Sequence, residues 1–204
     1  MCSLKAVSQP QRLKSVPAFR GLMTIYVSPT ARIIGDVAIG DGSSIWHGAV
    51  LRADLDKIVI GKKTNIQDNA VLHLDVDYPT IVGDRVTAGH HAIIHGCKVG
   101  NDCIIGMGSV LANGVEIGAW SIVAPGAIVP ENATFGAGNV IAGVPARALR
   151  EVDDRLRHRI EVSWKIYYEL AKKTLPSRKT LTGDKTKRVS IEVANEISRI
   201  LRKK

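Results

Sequence analysis

Aliphatic residues recur along this chain every six positions, and few folds accommodate such a period. They stand at Val27, Ile33, Ile39, Ile45 and Leu51, and resume at Ile60, Ile66 and Leu72, then at Val82, Ala88 and Ile94. After one five-residue step the series runs on through Val99, Ile105, Leu111, Ile117, Val123, Val129, Phe135 and Ile141. An amphipathic helix places its apolar residues three and four apart, and an exposed strand alternates every two. Six fits a chain that makes a very short strand, turns a corner and repeats, with the aliphatic residue pointing inward. Glycine often follows that residue, as at Gly40, Gly61, Gly83, Gly100, Gly106 and Gly118. It is expected to serve the corners through its wide backbone freedom.

Coils of this kind hydrogen-bond to one another as parallel strands and bury a continuous aliphatic column. The expectation is an all-β, single-stranded parallel β-helix of the hexapeptide type, followed by a C-terminal helix. A chain of 45% hydrophobic but only 4% aromatic residues agrees with a narrow core column of Ile, Val and Leu. The expected organisation is a basic tail over 1–15, the β-helix over 16–148, an amphipathic helix over 149–174, and a basic linker with a second short helix over 175–204. In the first helix Val152, Leu156, Ile160, Trp164, Tyr167 and Leu170 repeat at three or four, and Pro176 stops it. That helix should cap the open end of the prism or lie along its side. In the second, Val193, Ile197, Ile200 and Leu201 share a face behind Ser190 as cap.

Charge bounds the partners. From Arg150 onward there are 16 Lys or Arg against 8 Asp or Glu, a net +8 of the chain's +9. No aromatic residue lies among the basic ones after Tyr168 and no nucleic-acid motif occurs, so a solvated face is expected and no nucleic-acid partner. No stretch approaches the ~18 apolar residues of a membrane span. The first 20 residues carry no acid and no secretory apolar run. A cytoplasmic location is expected, with the mitochondrial matrix as the alternative if that tail is a presequence. Cys2, Cys97 and Cys103 are odd in number and unpaired in spacing, as in a reducing compartment. Cys97 and Cys103 fall at inward positions and read as small core residues.

The ladder places the histidines. His73 follows Leu72 and His95 follows Ile94, three walls apart once four extra residues after Leu72 are allowed for. Both should face outward on one wall, one coil apart. Strands ~4.8 Å apart let two imidazoles share one metal ion. His90 lies on the preceding wall near a corner, so a neighbouring subunit's His90 is the candidate third ligand of an open, three-ligand site. Solvated surface histidines are the bland alternative, but two of three in one register across an insertion argue against it. His47 and His91 lie outside this register; His47 should be exposed and His91 beside the site. Gln67 occupies on the preceding wall the position that His73 holds on its own, while Asp68 could orient a ligand or pair with Arg52.

The motifs LRAD at 51–54, NIQDNAVLH at 65–73 and GHHAIIHGC at 89–97 resemble those of the γ-class carbonic anhydrases and their relatives, over roughly residues 16–152. The resemblance implies three walls per coil, a left-handed winding, and a homotrimer with three interfacial sites for Zn2+ or Fe2+. It implies His73 and His95 from one subunit with His90 from the next, Arg52 and Asp54 at the trimer contact, and Asn65, Gln67 and Asp68 around the bound water. The implied reaction is hydration of carbon dioxide to bicarbonate, the ion bringing its water to a pKa near ~7.

The archetypal enzyme carries a proton-transferring glutamate beside the aspartate that corresponds to Asp54, and here that neighbour is Leu55. Asp75, Asp77, Tyr78 and His91 are therefore the candidate proton relay. NVIAGVPARAL resembles the closing segment of hexapeptide acyltransferases, so transfer or hydrolysis at an acyl-CoA thioester is the second reading. A catalytically silent trimeric metal-binding protein is the third.

Overall fold

A computed structural model describes residues 24–179. The basic tail, Cys2, and the second helix expected around Ser190, Val193, Ile197, Ile200 and Leu201 lie outside the described residues.

The chain winds as a parallel β-solenoid with three walls. On wall one the strands Ile25–Val27, Ser44–Ile45, Asn65–Ile66, Thr87–Ala88, Ile104–Ile105, Ile122–Val123 and Asn139–Gly143 stack in parallel. Wall two holds Val71–His73, Ile93–His95, Val110–Leu111 and Ile128–Val129, and wall three Thr80–Val82, Lys98–Val99, Glu116–Ile117 and Thr134–Phe135. Two longer strands, Arg32–Ile39 and Val50–Ile60, run around the corner between walls two and three and join them into one sheet. Every ladder residue is buried except Ile33 and Phe135, which lie in the first and last coils and are partly covered. A second inward set of smaller residues, including Ala49, Ala70, Ala92, Cys97, Cys103 and Ala127, completes the column.

The glycines after the ladder residues act differently from the expectation. Gly61 and Gly118 have ordinary negative φ; a Cβ at either would stand 2.4 Å or 2.3 Å from backbone atoms of the next coil. They are required by closeness between coils. The left-handed corner conformation falls instead two residues further on, at Gly42, Lys63, Arg85, Asp102 and Trp120.

One departure from the plain repeat matters for the site. Gly35 pairs with Ala53 but Asp36 with Lys57, so Asp54, Leu55 and Asp56 are extruded as a bulge at the corner of the longer strand. Gly35 makes this close approach, since a Cβ there would lie 1.9 Å from the Ala53 carbonyl oxygen.

The solenoid ends in a hairpin rather than a helix. Residues 146–151 form a strand antiparallel to Asn139–Gly143, and the helix, α1, begins at Asp154 and runs to Thr174. The start is later than the sequence suggests because the hairpin satisfies the backbone through Glu151 and Asp153 supplies the cap, accepting from the Leu156 N–H at 2.8 Å. Helix α1 lies along wall one, with Ile160 and Ala171 buried, Trp46 edge-on to Tyr167 at 5.5 Å, and Tyr26 edge-on to Tyr168. Its 21 residues span about 31 Å. The sheet's nine strands, about 4.8 Å apart, span about 38 Å. The chain thereby returns to the first coil, where Ser177–Arg178 pairs antiparallel with Ile25–Val27. Both edges of wall one are closed by antiparallel strands from the C-terminal region. Among the described residues, no helix is long and apolar enough to cross a membrane.

Candidate metal centre

Wall two brings His73 and His95 opposite each other in adjacent parallel strands. Their ring centroids are 5.0 Å apart, and His73 Nδ1 lies 3.0 Å from His95 Nε2. The other nitrogen of each ring is held. His73 Nε2 donates to Asp54 Oδ1 at 3.0 Å, and His95 Nδ1 donates to Asn113 Oδ1 at 2.7 Å. With both N–H groups directed outward, the two remaining lone pairs face each other across a gap that only a shared proton or cation makes favourable. Two nitrogens on one tetrahedral zinc stand about 3.3 Å apart for Zn–N bonds of ~2.0–2.1 Å. The donor pair therefore fits a metal ion with little movement. Histidine ligands whose second nitrogen is fixed by a carboxylate or other acceptor are the usual outer-shell arrangement.

The bulge explains the position of Asp54. Extruded from the ladder, its carboxylate turns onto His73 and is bridged from the other side by Arg52. Burial raises the affinity of Asp54 for a proton, but the hydrogen bonds from His73 and Arg52 outweigh it and hold the carboxyl below its ordinary range. Burial pushes His73 down, with Asp54 opposing and Arg52 and His95 assisting, so the neutral ligating form is favoured. Leu55, where the archetype would carry glutamate, packs against the core.

A second group gathers on wall one. His90 Nδ1 is 2.9 Å from Asp68 Oδ2, which leaves Nε2 available. Gln67 Nε2 donates to Asn65 Oδ1, Asn65 Nδ2 to Thr87 Oγ1, and Ser163 of α1 donates to the same hydroxyl at 3.1 Å. Gln67, Thr87, His90, Met107, Tyr167 and Arg159 border a mainly apolar trough of about 360 Å³ between wall one and α1. Of the two pairings open to Asp68, the structure makes the one with His90. Among the described residues, no three His, Cys, Asp or Glu side chains converge within a single chain as a metal site. His90 stands at the end of wall one, and His73 with His95 on wall two.

The remaining residues divide. His91 is exposed at a left-handed corner, φ 58°, and His47 is exposed with its Nδ1 at Ser28 Oγ. Residues 75–78 close a tight loop through an Asp75–Tyr78 bridge, and Tyr78 lies over the Gly96 and Gly114 corners. Cys97 and Cys103 are buried thiols, both pushed up to about 12 by burial. Asn113 was not a candidate in the sequence: the coil between Ile94 and Leu111 is shortened by the five-residue step, and Asn113 falls one residue past the position in register with His95.

Comparison with known proteins agrees with this architecture. No family model matches the chain. Over 153 residues it is 44% identical to γ carbonic anhydrase 2, mitochondrial, of Arabidopsis thaliana, covering 72% of this chain and 55% of that protein. The chain thus spans about half the length of this plant relative. It is 51% identical over 130 residues to a protein of Methanocaldococcus jannaschii described as a probable carbonic anhydrase, covering 64% of this chain and 82% of that protein. Among solved structures, a hexapeptide transferase family protein from Anaplasma phagocytophilum superposes with a TM-score of 0.68 at 37% identity, covering 75% of this chain and 94% of that one. With the repeat, the wall-two histidine pair and these identities together, the chain belongs to the γ-carbonic anhydrase-like family of hexapeptide-repeat proteins.

Proposed function

We propose that this protein hydrates carbon dioxide to bicarbonate at a metal site shared between subunits of a homotrimer. The observation that carries the reading is the facing pair of lone pairs on His73 and His95, each ring oriented by its own acceptor. The third ligand is His90 of the next subunit, aimed by Asp68. When bound, Zn2+ or Fe2+ supplies the Lewis acidity that makes water nucleophilic near neutral pH. Gln67, its amide nitrogen committed to Asn65, offers its carbonyl oxygen to the attacking water. The apolar lining around Met107 suits an uncharged, linear substrate. With Leu55 packed against the core where a glutamate would stand, proton export falls to exposed His91 or to Asp75, Asp77 and Tyr78.

Two unlike surfaces support the assembly. Val50, Val71, Ile93, Val110 and Ile128 stand in register up the outside of wall two beside the histidine pair, a stripe about 19 Å long. The apolar trough holding His90 lies on wall one. Contact between the two is heterologous and closes as a ring, with Arg52 at its rim. Plant relatives are mitochondrial by description, and a matrix setting for this chain is part of the same reading.

The test is complementation. Stopped-flow hydration by metal-replete protein, handled without air, should fall at least about a hundredfold in His73→Ala and in His90→Ala. Co-refolding the two inactive variants should recover activity, because a mixed ring contains an interface with all three imidazoles. Undiminished hydration in His90→Ala, or no recovery on mixing, refutes a site between chains.

A second reading rests on a specific feature. His90 paired with Asp68, on an apolar trough with Arg150 and Arg159 at its mouth, is also an oriented general base beside space for an acyl chain. Turnover of an acyl-CoA that survives His73→Ala but not His90→Ala would favour transfer or thioester hydrolysis. Zinc bound without either turnover identifies a silent metal-binding trimer.

A further inference from the structure

We propose that Asn113 is a positioning residue of the site: its side-chain oxygen fixes which nitrogen of His95 carries the proton, and so which lone pair His95 offers to the shared ion. This rests on the shared-ion reading above. Asn113 Oδ1 accepts from His95 Nδ1 at 2.7 Å, which directs Nε2 at His73. The amide is wedged in place. A Cβ on Gly96 would lie 2.2 Å from Asn113 Oδ1, so Gly96 keeps that space clear, and the Asn113 carbonyl accepts from the Asn132 N–H at 2.9 Å.

Corner packing alone does not explain the contact. Asn69 lies against Gly48, and Asn132 against Gly114, in the same way. Neither amide touches one of the three candidate ligand imidazoles in the hydrogen bonds of the structure. The other orienting groups are carboxylates, Asp54 on His73 and Asp68 on His90. A neutral acceptor leaves its imidazole a weaker donor than a carboxylate does, so His95 is the ligand whose strength can be moved in both directions.

The experiment titrates metal-free protein with zinc against a chromophoric chelator, and records the visible spectrum of the Co2+ form. Asn113→Leu and Asn113→Ser should bind zinc about 10- to 100-fold more weakly and alter the Co2+ bands. Asn113→Asp should match or exceed wild-type affinity. Asn132→Gly, which removes a corner amide without touching a ligand, should leave both readouts unchanged. Wild-type affinity in both Asn113→Leu and Asn113→Ser overturns the inference. So does equal weakening in Asn113→Asp, since that reports corner damage rather than loss of an acceptor. If His73→Ala also binds zinc normally, the shared-ion reading itself fails; if only the Asn113 variants do, that reading stands without this residue.

Discussion

At the scale of single residues, burial decides chemistry more than residue type does. The two core cysteines show it. Burial raises both thiols from an ordinary value of 9.0 to about 12, so neither is a thiolate near neutrality. Native protein at pH 8 should therefore leave Cys97 and Cys103 unalkylated by iodoacetamide, and both should react once the chain is denatured; mass spectrometry of the peptides reads this directly. The linked pH dependence has a definite sign. Between 9 and 12 the unfolded chain has released these protons and the folded chain retains them, so folding stability falls as pH rises through that window. The histidines show the complementary case, in which partners matter more than depth. His73, His95 and His90 are each aimed by one oxygen acceptor, whereas exposed His47 contacts a serine hydroxyl.

At the scale of elements, α1 is attached to the solenoid by an aromatic seam and one hydroxyl pair. Trp46, Tyr167, Tyr26 and Tyr168 pack edge-on beside buried Ala171, and Ser163 meets Thr87. Trp46→Ala should cost about 3 kcal/mol in denaturant unfolding, the lower end for a buried aromatic. Hydrogen exchange should quicken selectively over 154–174, while the coils keep their protection. Through Ser163, Thr87 and Asn65 the helix also braces Gln67, so the same variant should disturb hydration more than zinc affinity. Equal exchange rates in helix and coils would show that the two unfold as one unit.

At the scale of the whole molecule, one wall carries the facing pair His73 and His95 and another carries His90. In the trimer proposed above, association brings the three together. Ile128 is 43% exposed and stands in the wall-two stripe away from the histidines, so Ile128→Asp tests assembly without touching a ligand. It should shift sedimentation from trimer to monomer at micromolar concentration, leave the circular dichroism spectrum unchanged, and abolish tight zinc binding in parallel. A monomer that still binds zinc tightly would mean that one chain completes the site alone.

The six-residue period was enough to place the aliphatic column, because in a solenoid the inward position is a local property that each unit repeats; it left out the second inward set, such as Ala49, Ala70 and Ala92. It also put His73 and His95 on one wall, since counting coils across the four-residue insertion preserves register. It left Asp68 open between a ligand and Arg52, and it did not reveal Asp54 on His73 or Asn113 on His95. Those contacts join neighbouring coils and depend on a three-residue bulge, a corner conformation and side-chain rotamers, none of which is written in a one-dimensional spacing. The placement of α1 along wall one was likewise settled in three dimensions: its apolar face matched the side or the end of the prism equally well, and the Trp46–Tyr167 contact together with the returning strand at Ser177–Arg178 selected the side.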